Sequence, residues 1–428
     1  MKIAHFVQRY PPALGGSEAY FQRLSRYFAD SHSVDVWTTT ALDLEAFWSC
    51  NARELAPGTE NNHGVQVRRF PLSRWLLRRY LLKAASFLPE RTWQCLTLPC
   101  NPISFGMWKA TSTTERFDLV HATALPYAWP IVCARRLARR QRIPFLLTPF
   151  LHLGDPDNAS DRTRRSYTSP AFASLLRSAD RIFVQTPSER DAVLALGVPE
   201  TRIILQGLGV EPAECTGGDR QRFRKDWKLS PHEVVLGHLA NLSYEKGTID
   251  LLQASAKAWG RGAQFRLILA GPSMPNFRRF FADFEFKERV QLTGVLSDQQ
   301  KRDFFAGIDL FALPSRSDSF GLVLLEAWAN GVPNIAYRAG GIADVIQHER
   351  DGLLVKCGDI EALDEGMTRL VNDADLRRRF GEYGRERVQR DFRWADKLAR
   401  VEQVYEEVSG RSPQRQQGRS LAGAAGSG

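Results

Sequence analysis

The fold of this chain is decided by one stretch, Leu313-Pro-Ser-Arg-Ser-Asp-Ser-Phe-Gly-Leu-Val-Leu-Leu-Glu-Ala-Trp-Ala-Asn-Gly-Val-Pro333. An apolar run ends at its first residues, a serine-rich turn follows, and the pattern predicts a helix that opens near Phe320 and stops at Gly331. Asp318 and Ser319 occupy positions that are typical of helix N-caps. The N–H groups and the positive dipole end of this helix would face the space beyond a strand, which favours phosphate binding.

The two acids of this stretch, Asp318 and Glu326, are eight residues apart. On a continuous helix that spacing is about 12 Å, too far for a paired general acid and base. Glu326 lies roughly two turns inside the predicted helix, where a carboxylate has no capping role. Two interpretations stay open for Glu326: a solvated helix residue, or an acceptor for paired hydroxyls such as those of a ribose.

Around this stretch, apolar runs alternate with helical patterns in both halves of the chain. The first run, residues 2–8, is followed by a loop with Gly15 and Gly16 and then by a predicted helix at 18–29. Further predicted strands are 34–39, 65–70, 119–122, 145–148, 181–185, 202–205, 234–239, 265–270, 290–293, 309–313, 333–337 and 352–355. This alternation predicts mostly parallel sheets. The fold class is therefore α/β, with two doubly wound, Rossmann-like domains and a ligand site in the cleft between them.

Residues 72–116 interrupt the alternation with aromatic and basic side chains that show no clean helical stripe. One interpretation is a lid or helical excursion packed on the domain. The other is an element that faces a membrane or the acceptor, with aromatics at the headgroup level and cations near anionic lipid.

The formal net charge is +10, and residues 1–210 hold 26 Lys and Arg against 17 Asp and Glu. This surplus favours an anionic membrane surface or an acidic substrate as a partner. No helix-turn-helix, zinc-finger or RNP-type pattern is present in the sequence, so we expect no nucleic-acid partner. No apolar run is long enough to span a bilayer, which predicts a cytoplasmic protein, soluble or peripheral on the inner face of the membrane.

Neither the cysteines nor the acids predict a metal site. The six cysteines are scattered without CxxC pairs. Asp155-Pro-Asp157 imitates a DxD metal motif, but the proline makes a turn the better interpretation. His152 follows a predicted strand at the same domain edge as Gly16, so it is either a solvated loop residue or part of the ligand crevice.

Several motifs together resemble those of one enzyme family. They are Tyr244-Glu-Lys-Gly247, Leu267-Ile-Leu-Ala-Gly271, Val290-Gln-Leu-Thr-Gly-Val295, the two acids of the opening stretch, Gly331-Val-Pro333 and Ala339-Gly-Gly341. The chain thereby resembles the retaining, nucleotide-sugar-dependent glycosyltransferases of the GT-B fold, family 4. The resemblance extends over about residues 1–408 and is strongest from 234 to 388.

The resemblance implies a donor-binding set and a catalytic set of residues. The donor-binding set is Gly15, Gly16, Asn241, Lys246, Val295, Leu296, Arg316, Asp318, Ser319, Phe320, Gly321, Leu322 and Glu326. In it Glu326 holds the ribose, backbone amides from Phe320 to Leu322 meet the diphosphate, and Val295 lies near the base. The catalytic set is His152 near the reacting carbon, Lys246 on the leaving phosphates and Asp318 on the donor sugar. No cofactor and no metal are implied.

Two positions depart from the family pattern. The first acid is usually Glu, whereas Asp318 is one methylene shorter. The family normally has Arg five residues before the motif lysine, where this chain has Asn241, so a charge-assisted bond to the diphosphate is lost. Arg316 is the candidate to replace it.

The residue pattern, together with the resemblance, predicts the domain plan. Residues 1–210 form the acceptor-side domain with the insertion 72–116, 211–228 a linker, and 229–392 the nucleotide-sugar-binding domain. Residues 393–410 form a helix that crosses back to the first domain, and 411–428 a disordered tail.

We therefore expect a retaining glycosyltransferase that moves a sugar from a nucleoside diphosphate sugar to a glycan or lipid-linked acceptor in cell-surface polysaccharide assembly. The alternatives are a nucleotide-sugar epimerase or phosphorylase of the same fold, and a nucleotide-binding scaffold without turnover, for which Asn241 is the main argument.

Overall fold

The computed structural model describes residues 1–98, 100–158 and 160–410, and within these the strands form two sheets. The strands of the first sheet are β1 Lys2–Phe6, β2 Ser33–Thr39, β3 Gly58–Asn62, β4 Val65–Phe70, β5 Leu119–Ala122, β6 Phe145–Leu147, β7 Arg181–Val184 and β8 Ile203–Leu205. Those of the second sheet are β9 Val235–Leu239, β10 Arg266–Ala270, β11 Val290–Gly294, β12 Leu310–Leu313, β13 Asn334–Arg338 and β14 Gly352–Lys356. The predicted tail, 411–428, lies outside the described residues.

Helices follow most of the strands. They are α1 Gly16–Ala29, α2 Arg78–Ala85, α3 Arg91–Cys95, α4 Phe105–Ala110, α5 Ala128–Gln141, α6 Arg162–Tyr167, α7 Pro170–Arg177, α8 Pro187–Ala195, α9 Pro212–Cys215, α10 Arg220–Asp226, α11 Thr248–Gly260, α12 Pro275–Ala282, α13 Asp298–Gly307, α14 Leu322–Ala329, α15 Ile342–Val345, α16 Ile360–Asn372, α17 Ala374–Asp391 and α18 Trp394–Val408. Short 3₁₀ turns are Leu44–Phe47, Glu200–Arg202 and Lys287–Arg289.

The first sheet has the order β3-β4-β2-β1-β5-β6-β7-β8, parallel except for β3, which pairs antiparallel with β4. The second sheet has the order β11-β10-β9-β12-β13-β14 and is parallel throughout. Central strands such as β5 and β12 are buried along their whole length, as expected for sheets that helices cover on both faces. The predicted fold class, two doubly wound α/β domains, is confirmed.

Strand β3 was not predicted from the sequence. Its residues, Gly-Thr-Glu-Asn-Asn, lack the branched and aromatic side chains that favour strands, and four of the five are exposed. The strand therefore depends on its hydrogen bonds to β4 at the edge of the sheet. An edge strand of this kind has almost no pattern of its own to detect.

The insertion 72–116 contains three short helices, α2, α3 and α4. Leu82, Cys95 and Met107 anchor it in the core of the first domain, which agrees with a packed helical excursion. Several large apolar side chains between residues 76 and 88 of the insertion are exposed. The second interpretation, an element that faces a membrane or the acceptor, is therefore also compatible with the structure. Across the described parts of the chain, no helix combines the length and the apolar character needed to span a bilayer.

The last described helix, α18, lies on the first sheet although it follows the second in sequence. The Tyr405 hydroxyl is 3.0 Å from His5 Nε2 and 2.6 Å from His121 Nδ1, and all three side chains are buried. Tyr27 donates a hydrogen bond to Glu402 at 2.7 Å. The N- and C-terminal regions thus complete one another's core.

The segment predicted as a linker, 211–228, contains the helices α9 and α10. Phe223 on α10 is buried against Phe304 of α13, with ring centroids 5.9 Å apart. Arg222 donates to Asp303 on the same helix at 2.6 to 2.9 Å. Helix α10 therefore packs on the second sheet's helical layer.

Candidate functional site

The candidate site begins where β12 ends. Residues 314–321 form a turn, and helix α14 starts at Leu322, two residues later than the sequence pattern predicts. The expected N-cap role of Asp318 and Ser319 is wrong, because Gly321 occupies the N-cap with φ 83° and ψ 53°. This left-handed conformation is strained for any residue with a Cβ. Asp318 Oδ1 instead accepts N–H groups from Phe320 at 3.2 Å and Gly321 at 2.9 Å.

Asp318 and Lys246 form an ion pair at the opening of α14. The Lys246 ammonium lies 2.7 Å from Asp318 Oδ2, and both side chains are largely buried. Burial disfavours the ionised carboxyl, but the charge of Lys246, the interaction with His152 and hydrogen bonds from Lys246 and the Phe320 N–H together outweigh burial and lower the pKa of Asp318 to about 2. Two residues that the sequence placed in the catalytic set are therefore in direct contact.

His152 approaches the same turn from the first domain. Its Nδ1 is 3.3 Å from Ser317 Oγ, and its ring lies 5.2 Å from the ring of Tyr167. Burial lowers the pKa of His152 to about 4, with Asp318 opposing the shift. The imidazole is consequently neutral at neutral pH and next to the Lys246–Asp318 pair.

Glu326 faces a cavity of about 990 Å³, whose walls include helices α1, α13, α14 and α18. Glu326 Oε1 accepts from Lys301 Nζ at 2.6 Å, whereas its Oε2 is buried without a hydrogen-bond partner. A buried acceptor without a donor is costly, so a ligand hydroxyl at Oε2 would be favoured. Of the two interpretations of Glu326, the hydroxyl acceptor fits this environment better.

The glycine-rich loop covers a buried ion pair. Arg9 Nε donates to Glu18 Oε1 at 2.8 Å, and both side chains are almost fully buried. A Cβ at Gly15 would lie 2.2 Å from Glu18 Oε2, so a larger residue at this position would displace the Glu18 carboxylate. A Cβ at Gly16 would meet nothing within 4 Å. Gly16, the first residue of α1, thus has open space beside its backbone.

Arg316 belongs to the turn, but its side chain points away and packs on Asp250 and Tyr244. Its guanidinium pairs with the buried Asp250 carboxylate, which also accepts from Tyr337, and lies 4.3 Å from the Tyr244 ring centroid. Asn241, the position that departs from the family pattern, is exposed. The Arg316 guanidinium is therefore engaged by Asp250, and its replacement of the missing arginine stays a prediction.

The remaining predicted donor residues lie around the turn or the end of β11. Ser319 and Phe320 belong to the turn, and Leu322 lines the large cavity at the first turn of α14, where helix N–H groups have no partner within the helix. Val295 is exposed and Leu296 half-buried, both directly after β11.

Backbone and side-chain hydrogen bonds connect the two domains beside the site. Gly340 N–H donates to the Gly154 carbonyl at 2.7 Å. The Ser188 N–H and hydroxyl donate to the Asp344 carboxylate at 2.9 and 3.0 Å. The cleft is therefore bridged on the side of His152.

Lys301 and Tyr167 were not found from the sequence. Lys301 precedes Glu326 by 25 residues on another helix, and no motif marks it. Tyr167 follows His152 by 15 residues in an Arg- and Ser-rich segment. Only the fold brings these side chains to the site.

Asp155 and Asp157 form a turn, as expected: Asp157 N–H donates to Asp155 Oδ1 at 2.9 Å. Within residues 1–98, 100–158 and 160–410, no group of three or more His, Cys, Asp or Glu side chains is placed to hold a metal ion.

Two family models together match most of the chain. The model "Glycosyl transferases group 1" matches residues 219–387, and the model "Glycosyl transferase 4-like domain" matches residues 15–209.

The chain is also similar to curated proteins. It is 30% identical to the sulfoquinovosyl transferase SQD2 of Arabidopsis thaliana over 418 residues, 94% of this chain and 73% of that protein. It is 34% identical over 191 residues to an N-acetyl-alpha-D-glucosaminyl L-malate synthase of Bacillus anthracis. That second match spans 44% of this chain and only half the length of the relative.

Among solved structures, Anabaena Alr3699/HepE in complex with UDP and glucose has a TM-score of 0.71 to this chain at 18% identity. The match covers 95% of this chain and all of that one. At this identity the likeness concerns the fold.

Proposed function

The chain belongs to the family of glycosyl transferases group 1 and has the GT-B fold, and from this premise we propose the reaction that it catalyses. It moves a sugar, with retention of configuration, from a nucleoside diphosphate sugar to a hydroxyl of a glycan or lipid-linked acceptor. We assign it to cell-surface polysaccharide assembly. The main support for this proposal is that the side chains of His152, Lys246 and Asp318 lie together at the turn before α14.

Each of these residues would bind a different part of the nucleotide-sugar donor. Glu326 Oε2, buried and without a partner, accepts a ribose hydroxyl. Lys246 and the free amides at the start of α14 offset the charge that develops on the leaving diphosphate, so this role needs no divalent ion. Asp318 and the neutral His152 hold the hydroxyls of the donor sugar near the reacting carbon. A related structure contains UDP and glucose, which supports a nucleotide-sugar donor here.

The first experiment is a thermal shift panel with UDP, GDP and ADP in EDTA, on the wild type and on Glu326→Ala. A nucleotide at 100 times its dissociation constant should stabilise the fold by about 2.7 kcal/mol. We expect one nucleotide to raise the unfolding temperature of the wild type, and Glu326→Ala to lose this shift. The exposed Glu382→Ala is the matched control and should keep it. No shift with any nucleotide would favour a scaffold without turnover.

Retention is tested with the sugar nucleotide that the panel identifies. Slow donor hydrolysis, followed by proton NMR, shows the anomer that forms before mutarotation. The same anomer as in the donor is the expected product, and the opposite anomer would contradict a retaining mechanism.

The proposed acceptor comes from a membrane surface. An apolar ridge, defined as residues 76–88, exposes Leu76 by 87% and Phe87 by 78%, and Leu77, Tyr80 and Leu81 by more than half. The surrounding segment 72–98 contains five Lys and Arg and a single acid. Exposed apolar side chains interleaved with cations are suited to the interface of an anionic bilayer.

Cosedimentation with vesicles tests this surface. We expect binding to phosphatidylglycerol vesicles that weakens with salt, little binding to phosphatidylcholine vesicles, and loss of binding in Leu76→Asp. The control Leu205→Asp changes an exposed leucine of the edge strand β8, outside the ridge, and should bind like the wild type. Equal binding to neutral and anionic vesicles would contradict the proposed anionic membrane surface.

A further inference from the structure

The loop that contains His152 is held from behind by a buried carboxylate, Glu189 on helix α8. Glu189 is 1% exposed. Its Oε1 accepts the Leu151 N–H at 2.7 Å, and its Oε2 accepts the Gln185 N–H at 2.6 Å. Both carboxylate oxygens are thus used on backbone donors, one of them in the residue that precedes His152.

The local sequence explains how the carboxylate reaches both segments. Thr186-Pro-Ser-Glu189 has the spacing of a capping box, and Thr186 Oγ1 accepts the Glu189 N–H at 3.2 Å. In the usual capping box the glutamate side chain accepts a hydrogen bond from the N–H of the cap residue. Here Glu189 instead accepts from the N–H of Gln185, the residue before the cap. Strands β6 and β7 are parallel neighbours, so the segments that leave them run side by side and one carboxylate can bridge them.

The His152 loop is fixed at its two ends by other contacts. Thr148 Oγ1 is 2.8 Å from His121 Nε2, and the Gly154 carbonyl accepts from Gly340 of the second domain. Between these ends, the Pro149 and Leu153 carbonyls accept from the Leu125 N–H and from Arg164 Nε. The bond from Leu151 to Glu189 holds the amide directly before His152. Release of this amide would let the imidazole move relative to Ser317 and Asp318.

We propose that Glu189 is a positioning residue for the transfer reaction, which in its ionised form holds His152 against the donor site. The proposal rests on the role of His152 in the proposed function. A proton on either carboxylate oxygen would place an O–H against an N–H, so one of the two amides would lose its acceptor. A buried N–H without an acceptor is unfavourable, and the loop would shift to reach another partner.

The charge state of Glu189 changes in the neutral range. Burial raises the pKa of Glu189 to about 7, although the two backbone hydrogen bonds oppose the shift. The ionisable groups on the surrounding elements are His152, Asp344 bound to Ser188, and Arg190 paired with Glu200. Activity should therefore fall as the pH decreases through about 7. The contribution of Glu189 to stability has the opposite sign, because a raised carboxyl pKa destabilises the fold as the pH increases through that value.

The variant Glu189→Gln presents an NH₂ group to one of the two amides at every pH. We expect its kcat at pH 8 to be about tenfold below the wild type, the loss expected for one unmade hydrogen bond. The decrease of kcat near pH 7 should be absent, and the nucleotide Kd should change by less than about twofold. Deuterium exchange in the peptide 148–154 should be faster. Glu200→Gln, an exposed glutamate paired with Arg190, is the matched control and should leave all four quantities unchanged.

The second variant is Glu189→Asp, which keeps the carboxylate but shortens the side chain by one methylene group. Its kcat should fall while the decrease on acidification remains. If Glu189→Gln keeps the wild-type pH profile and the wild-type exchange in 148–154, the proposal is overturned. A wild type without transfer from any sugar nucleotide would overturn the proposed function instead, and the exchange measurement alone would then decide whether Glu189 holds the loop.

Discussion

At the scale of single residues, the site is built from acids that already have lysine partners. Asp318 pairs with Lys246, and Glu326 pairs with Lys301. Lys246 favours the ionised form of Asp318, and Lys301 orients Glu326 by a hydrogen bond to Oε1. In a largely buried place an unpaired charge would be costly. The donor therefore meets a site in which charges and hydrogen-bond directions are fixed before it binds.

Lys246→Met should lower kcat/KM for the donor by about 10- to 100-fold, the effect of losing one charge-assisted hydrogen bond. It should also raise the pKa of Asp318, whose low value depends on the Lys246 charge. Steady-state kinetics with the identified sugar nucleotide measures the first effect. Lys257→Met removes an exposed lysine that pairs with Glu361, and should have wild-type kinetics. A Lys246→Met enzyme with normal kcat/KM would exclude this lysine from the reaction.

The family resemblance that the motifs carry was enough to identify Lys246, Asp318 and Glu326 as candidates. The structure places Lys246 and Asp318 in contact at the turn before α14 and Glu326 within that helix. The sequence could not show that Arg316 is engaged by Asp250, because 66 residues separate them. Nor did it show that Gly321, rather than Asp318, begins the helix. Side-chain partners distant in the chain depend on packing, which no local pattern encodes.

At the scale of elements, the most informative contact is that of α18 with β1 and β5. His5 and His121 share the Tyr405 hydroxyl in a region without water access. Burial lowers the pKa of His5 to about 3, and burial followed by the charge of His5 lowers the pKa of His121 well below its usual value. Both imidazoles are therefore neutral in the folded protein, and helix α18 is docked through a neutral hydrogen-bond network.

Acidification should destabilise this contact. Unfolded histidines bind protons below pH 6.5 and these two folded ones do not, so the stability that they contribute is present above pH 6.5 and lost as the pH falls below it. Each adds about 1.4 kcal/mol per pH unit to the slope. Urea unfolding from pH 7.5 to 5 should therefore show a smaller pH dependence in His5→Gln than in the wild type. The exposed His232→Gln is the control, and an unchanged slope in His5→Gln would contradict the argument.

The sequence predicts the parallel strands well, because continuous apolar runs are typical of sheets covered on both faces. It predicts β3 and the three helices of the insertion poorly. Strand β3 has a polar composition, and α2, α3 and α4 are short helices that depend on anchors such as Leu82 and Met107. Their existence is decided by tertiary contacts rather than by periodicity.

At the scale of the whole molecule, hydrogen bonds from Ser188 to Asp344 and from Gly340 to Gly154 join the two domains near the site. The Asp344 carboxylate accepts both the N–H and the hydroxyl of Ser188 at the N-terminus of α8. A carboxylate at this end of a helix is favoured by the free N–H groups and by the helix dipole. This contact therefore links α8 of the first domain to α15 of the second.

Asp344→Ala should open the cleft. We expect a larger radius of gyration in small-angle scattering and a weaker nucleotide Kd, by roughly tenfold for a loss near 1.4 kcal/mol. Saturating nucleotide should restore the wild-type scattering curve, because closure and binding are coupled. Asp375→Ala, on the exposed first turn of α17, is the matched control. Identical scattering of Asp344→Ala and wild type without nucleotide would refute a role in closure.

The return of α18 to the first sheet has a consequence for how the protein is made. The first domain is synthesised by about residue 210, yet the partner of His5 and His121 is Tyr405. At translation rates of about 5–20 residues per second, the ribosome needs roughly 10–40 s to supply it. During that interval one face of the nascent domain is uncovered, so the first domain to emerge is completed only when α18 has been synthesised.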